Sequence, residues 1–142
     1  MSNTELQKVF TQVYESCVWG GTTKRSGEGS HSESIVNPYV DSIINFLKSL
    51  DQKLKIVDLG CGDFNVGSRL VPYSSEYIAC DIVEFVIEEN KKRHPDVNFS
   101  VVDITTDELP KGDVAIIRQV LQHLSVEDIT KVVNKLENSS YQ

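Results

Sequence analysis

The sequence predicts an α/β fold, a doubly wound parallel sheet of about four strands in the order 3-2-1-4 with helices on both faces, preceded by an N-terminal helix and lid. Three observations lead there. Near-continuous apolar runs at 54–58, 76–81, 97–103 and 113–118 alternate with helix-period segments, as in a parallel sheet covered on both sides. The connections are short, and right-handed crossovers wind such units in one sense only. Acids close the first three runs, Asp58, Asp81 and Asp103. In open sheets of this kind, ligands sit beyond the carboxyl ends of the strands, where chain order reverses.

The chain has 142 residues, 39% of them apolar and 25% charged, which suits one soluble domain with one core. No apolar run approaches the roughly 20 residues of a membrane span, so no membrane partner is expected. The start, Met1 to Leu6, lacks the basic and apolar segments of a secretory signal. Cys17, Cys61 and Cys80 are an odd set without CxxC spacing, which argues against a disulfide framework or a cysteine zinc site. A cytoplasmic location fits these features. The net charge of −7 leaves no basic surplus for a polyphosphate backbone, so nucleic acid is disfavoured as a partner. Lys91, Lys92 and Arg93 read as a solvated helix end.

Residues 1–33 are expected to form the helix and lid, and 34–142 the ligand-binding part of the domain. Leu6, Val9, Phe10, Val13 and Tyr14 recur at helical spacing over 3–17, from a start near Asn3 or Thr4. The glycine- and serine-rich stretch from Trp19 to Ser32 has no period and is longer than ordinary connections, which marks a lid or functional loop. Asn37 and Pro38 read as the N-cap and first position of a second helix reaching about residue 50. Residues 66–71 read as a short helix stopped near Pro72, and 83–93 as a longer one broken at His94-Pro95. Ser125, with Asp128 three residues on, opens the last helix as a capping box, and Ile129, Val132, Val133 and Leu136 supply its apolar face.

The most informative stretch is Lys55 to Phe64, a buried strand running into a turn with glycines at 60 and 62. Glycine there lets the backbone take positive φ and approach a ligand closely. Asp58, two positions before the first glycine, suits a ligand with a hydroxyl or ammonium donor.

At these residues the chain resembles the class I S-adenosylmethionine-dependent methyltransferases, whose fold is Rossmann-like. Val57-Asp58-Leu59-Gly60-Cys61-Gly62-Asp63 is similar to their first motif. Asp81, 23 positions after Asp58, stands where the family holds both ribose hydroxyls, and Asp103-Ile104, 22 further on, where it reads the adenine amino group and covers the ring. Ile116 to Ser125 looks like the fourth-strand motif, whose loop lines the methyl-transfer site. The resemblance covers roughly residues 34–138. It implies S-adenosylmethionine as cofactor, held by Asp58, Gly60, Cys61, Gly62, Asp81, Ile82, Asp103, Ile104 and Gln119. It also implies methyl transfer to a small-molecule acceptor, with His123 and Arg118 as candidate catalytic residues. His123 would act as a base or a hydrogen-bonding contact, and Arg118 would position an acceptor carboxylate or phosphate. The segment from Ser26 to Ser30 is expected to fold over the methionine end.

Two departures stand out. Phe64 occupies the position of a third glycine and is expected to pack under the ligand tail. The family's domain has seven strands, so the resemblance implies one truncated after the fourth strand and its helix, with that strand at an edge that favours a homodimer or a longer parent. A non-catalytic fragment that binds S-adenosylmethionine or S-adenosylhomocysteine, or that merely self-associates, is the alternative function. A nicotinamide-dinucleotide domain fits less well, since its fingerprint needs glycine where Asn65 stands. His31 with Glu28 and Glu33 lacks a second histidine for a metal, so none is expected. Cys61 reads as a small side chain under the ligand rather than a nucleophile.

Overall fold

A computed structural model describes residues 4–23 and 25–141. The N-terminal helix α1 spans Glu5–Glu15, with the Thr4 hydroxyl accepting from the Gln7 amide at 3.1 Å. Thr4 is thus the cap, and Asn3, the other expected start, lies outside the described residues. Helix α2 spans Glu33–Lys48, β1 Lys55–Leu59, β2 Glu76–Asp81 and α3 Glu84–Arg93. Strand β3 spans Asn98–Val101, β4 Val114–Ile117 and α4 Val126–Glu137. The four strands form one parallel sheet in the order β3-β2-β1-β4, with Val57 opposite Ile78 on one side and Ala115 on the other.

Successive strand residues point to opposite faces, and β1 supplies both cores. Ile56 packs with Val36, Val40 and Leu47 of α2 and Ile87 of α3, while Val57 and Leu59 pack with Val132 of α4. Ile56, Val57 and Leu59 are fully buried, each contributing roughly 1.5–3 kcal/mol by removal from water. Among the described residues β4 pairs only with β1, and its residues are half-buried. Among the described residues no helix is long and apolar enough to cross a membrane.

Two helix assignments differ from the sequence reading. Helix α2 begins at Glu33 after Ser32, so Pro38 sits inside it rather than at its first position. Val36 and Val40, buried one turn apart, carry the extra turn, which outweighs the hydrogen bond that proline cannot donate. The expected helix at 66–71 is instead two 3-10 turns, Gly67–Arg69 and Val71–Tyr73. Gly67 lies too close to the Phe64 ring and Asp58 for any side chain, and Pro72 cannot extend a longer ladder. At the third strand, pairing stops at Val101, so Asp103 lies in the loop beyond it.

Candidate functional site

Strand β1 delivers the chain into Gly60-Cys61-Gly62. The amides of Gly60 and Cys61 both donate to the Cys80 carbonyl at 2.8 Å, which pins the turn to the end of β2. Gly60 and Gly62 have φ of +86° and +54°. A Cβ on Gly60 would lie 2.3 Å from Val120, and one on Gly62 would lie 2.3 Å from the Ser26 hydroxyl. These glycines serve both the left-handed backbone and the elements that close over it. From below, the Asn90 side chain on α3 donates to the Gly62 carbonyl at 2.7 Å and is fully buried.

The acids at the strand ends are buried and hydrogen-bonded. Asp81 accepts from the amides of Gly62 at 2.9 Å and Val83 at 3.0 Å. Burial raises its pKa, and these two bonds oppose the rise. Asp103 accepts from the Thr105 amide at 2.9 Å and hydroxyl at 2.6 Å, and from the Thr4 hydroxyl at 3.0 Å. Each carboxylate oxygen has two lone pairs, so both acids keep acceptor capacity toward a ligand.

A cavity of about 260 Å³ opens beyond the strand ends. Of the residues singled out in the sequence, Gly60, Cys61, Gly62, Asp81, Ile82, Asp103, Ile104, Arg118, Gln119 and His123 all line it. Asp58 does not. It lines an adjoining space of about 30 Å³ that shares Ser30, Gly60, Cys61 and Arg118 with the larger cavity. This space has room for about one water-sized group. Burial pushes the Asp58 carboxyl up to about 7, against a hydrogen bond from Tyr77 that lowers it. Arg118 lies over the Tyr39 ring at 4.8 Å and donates to the Gly29 carbonyl at 2.6 Å.

The His123 ring lies against Trp19 with centroids 4.8 Å apart, and edge-on to Phe10 at 6.3 Å. Tyr14 and Trp19 complete this aromatic wall at 5.4 Å. Burial, with Asp81 nearby, raises the Tyr14 phenol far above its ordinary range, so it stays protonated. Burial likewise pushes the Cys61 thiol well up, which keeps it a thiol rather than a nucleophilic thiolate.

One sequence expectation about the site is corrected. Phe64 does not lie under the ligand space, because its ring is buried edge-on against Tyr77, His94 and Phe99 at 4.9–5.6 Å in the core beneath the turn. Lys91, Lys92 and Arg93 are exposed at the end of α3, and the Arg93 guanidinium also donates to the Asp63 carbonyl at 3.0 Å and to Asn90 at 2.6 Å. His31 meets Asp63, with its Nε2 2.6 Å from the carboxylate. Among the described residues no cluster could hold a metal ion. Sequence reasoning missed Asn90, Asp63 and the cavity role of Tyr14 and Trp19. Only Asn90 left a signal, a polar residue on the same helical face as Val86 and Ile87.

With this geometry in hand, the comparisons define the class of protein. Residues 57–139 match the family described as "Methyltransferase domain", and the chain belongs to that family. No curated protein matches the chain. Among solved structures, magnesium protoporphyrin IX methyltransferase from Synechocystis, with SAM bound, superposes with a TM-score of 0.70 at 16% identity, covering 99% of this chain and 74% of that one. The YcgJ protein from Bacillus subtilis gives 0.63 at 18% identity over 75% of this chain and 47% of its own. A TehB-like SAM-dependent methyltransferase from Corynebacterium glutamicum gives 0.57 at 17% identity, over 94% and 66% respectively. The chain spans about half the length of several such structures. At these identities the likeness is one of fold.

Proposed function

We propose that this chain is the cofactor-binding part of an S-adenosylmethionine-dependent methyltransferase acting on a small-molecule acceptor. The observation that carries the reading is that Asp103, Asp81 and the Gly60–Gly62 turn line a single cavity from the ends of β3, β2 and β1, which are successive neighbours in the sheet. An adenine amino group, two ribose hydroxyls and a cationic amino-acid tail require acceptors in that order. Asp103 and Ile104 would take the adenine, Asp81 the ribose, and the glycine turn the tail, with Asp58 close enough through its own space to receive the ammonium group. The donor set fits the cofactor, and the bare glycines supply the close approach that a Cβ would block.

When bound, the cofactor supplies a methyl group on a sulfonium, already activated for in-line displacement. The protein's share is then alignment and electrostatics. His123, on the aromatic wall, would take a proton from an acceptor hydroxyl or amine as its lone pair attacks. Arg118, partly committed to the Gly29 carbonyl, has further donors for an anionic group on either ligand. Among the described residues β4 pairs on one side only, and that open edge supports self-association, while the free cysteines suit a reducing, cytoplasmic setting.

Calorimetric titration with S-adenosylhomocysteine tests the cofactor assignment, and formation of S-adenosylhomocysteine from S-adenosylmethionine with an acceptor mixture tests transfer. Binding without turnover would favour a non-catalytic cofactor-binding module. No binding would sink both.

A further inference from the structure

Resting on the cofactor reading above, we propose that Asp63 and His31 are a positioning pair that latches a roof, residues 26–31, over the bound cofactor and so sets how long it stays. Ser26, Gly27, Gly29 and Ser30 wall the main cavity. Asp63 lines the small adjoining space beside Asp58 and not the main cavity, so it acts on the main cavity through the roof.

The roof is tied down along one rim by the turn that follows β1. Asp63 Oδ2 accepts from the Ser26 amide at 2.9 Å and from His31 Nε2 at 2.6 Å, and the Asp63 amide donates to the Ser26 hydroxyl at 3.1 Å. Asn65, two residues on, donates from its side chain to the Ser30 carbonyl at 2.7 Å. The opposite rim is held from the end of β4, where Arg118 donates to the Gly29 carbonyl at 2.6 Å and weakly to the Ser30 hydroxyl at 3.4 Å. The segment therefore bridges the carboxyl ends of β1 and β4.

Its fit is close. The Ser26 hydroxyl stands where a Gly62 Cβ would be, and a Cβ on Gly27 would touch Trp19 at 3.4 Å. Asp63 is itself held in place, since its carbonyl accepts from Arg93 and its Oδ1 from the Asn65 amide at 3.2 Å. Asp63 is buried, with 8% of its surface exposed, and a buried carboxylate that loses its donors carries a large penalty. The latch is thus strong while closed. Breaking those bonds would widen the way out for a ligand under this roof, and lid opening of this kind limits release in many enzymes.

Trp19 is the only tryptophan and lines the cavity, so its fluorescence reports ligand release directly. The test is stopped-flow displacement of S-adenosylhomocysteine from the full chain and from His31→Leu and His31→Gln. Hydrogen bonds to charged groups contribute about 1.5–3 kcal/mol, so His31→Leu should release the ligand at least about tenfold faster. His31→Gln, which keeps an N–H donor, should recover most of that loss, whereas a purely packing role for the ring would not be rescued. The KM for the cofactor should rise while kcat stays level or increases, since release is the step that speeds up. Equal release from the wild type and His31→Leu, or no recovery with His31→Gln, would overturn the latch while leaving the cofactor reading intact. Failure of the wild type to bind would overturn the cofactor reading itself. In that event hydrogen exchange of amides 26–31 in the unliganded protein still decides whether the latch exists, because exchange should accelerate in His31→Leu and not in His31→Gln.

Discussion

The Tyr77 hydroxyl on β2 donates to the Asp58 carboxylate on β1 at 2.9 Å, inside the sheet and beside the glycine turn. The bond lowers the carboxyl's pKa, yet burial dominates and leaves it near 7 against an ordinary 3.8. Between those values the folded protein keeps a proton that the unfolded chain has released. The contribution of this group to stability is therefore complete below about pH 3.8 and is lost as pH rises through 7. Asp58→Asn should match the wild type at about pH 3.5 and be the more stable protein at pH 8, by up to roughly 4 kcal/mol. Urea unfolding at both pH values checks this, and parallel slopes for the two proteins would remove Asp58 as the source.

Asp81 has two structural duties besides its proposed contact with the ribose, because it accepts from the amides of Gly62 and Val83. In Asp81→Ala both amides lose their partner, at a cost of about 1–3 kcal/mol each. The variant should therefore unfold earlier and bind S-adenosylhomocysteine at least about tenfold more weakly. Asp81→Asn, which keeps one acceptor oxygen, should fall between. Unchanged affinity in a folded Asp81→Ala would remove the residue from the site.

Gly62 and Ser26 lie 36 positions apart in sequence yet compete for one space. Gly62→Ala places a Cβ 2.3 Å from the Ser26 hydroxyl on a backbone of φ +54°. The left-handed conformation alone costs an alanine about 1–2 kcal/mol, and the collision adds to it. In the double variant Gly62→Ala with Ser26→Ala the oxygen is gone and the collision term should largely vanish. A double-mutant cycle by urea unfolding should therefore show coupling of about 0.5–3 kcal/mol. Strict additivity would mean that the roof does not rest on the turn.

The sheet, the strand-end acids and the glycine turn were legible because each leaves a local mark. Buried parallel strands are apolar throughout, glycine marks unusual φ, and an acid after an apolar run is out of place unless it binds something. What was not legible depended on contacts distant in sequence. Pro38 carries the signal of a helix start, and only the burial of Val36 against the sheet shows that the helix begins a turn earlier. Phe64 takes φ of 65°, where glycine is the easier residue, because its ring fills the core between Tyr77 and Phe99. Asp58 looked equivalent to Asp81 and Asp103 by position, but it points into the smaller space. Asp63 and His31, 32 positions apart, could be paired only after the roof had been placed.

His123 presents the clearest separation between binding and chemistry. Its ring rests on Trp19 at 4.8 Å and lines the same cavity as Asp81 and Asp103. His123→Ala should leave S-adenosylhomocysteine affinity within a few-fold of the wild type, because the cofactor acids and the glycine turn are untouched. If the imidazole takes the acceptor's proton, turnover should fall by about 10²–10⁴-fold, and added imidazole should restore part of it. His123→Phe keeps a ring against Trp19 without a titrating nitrogen, so it separates the two roles. Loss of turnover in both variants with imidazole rescue in His123→Ala makes His123 a base. Loss only in His123→Ala, with His123→Phe near wild type, makes it part of the aromatic wall against which the acceptor is held.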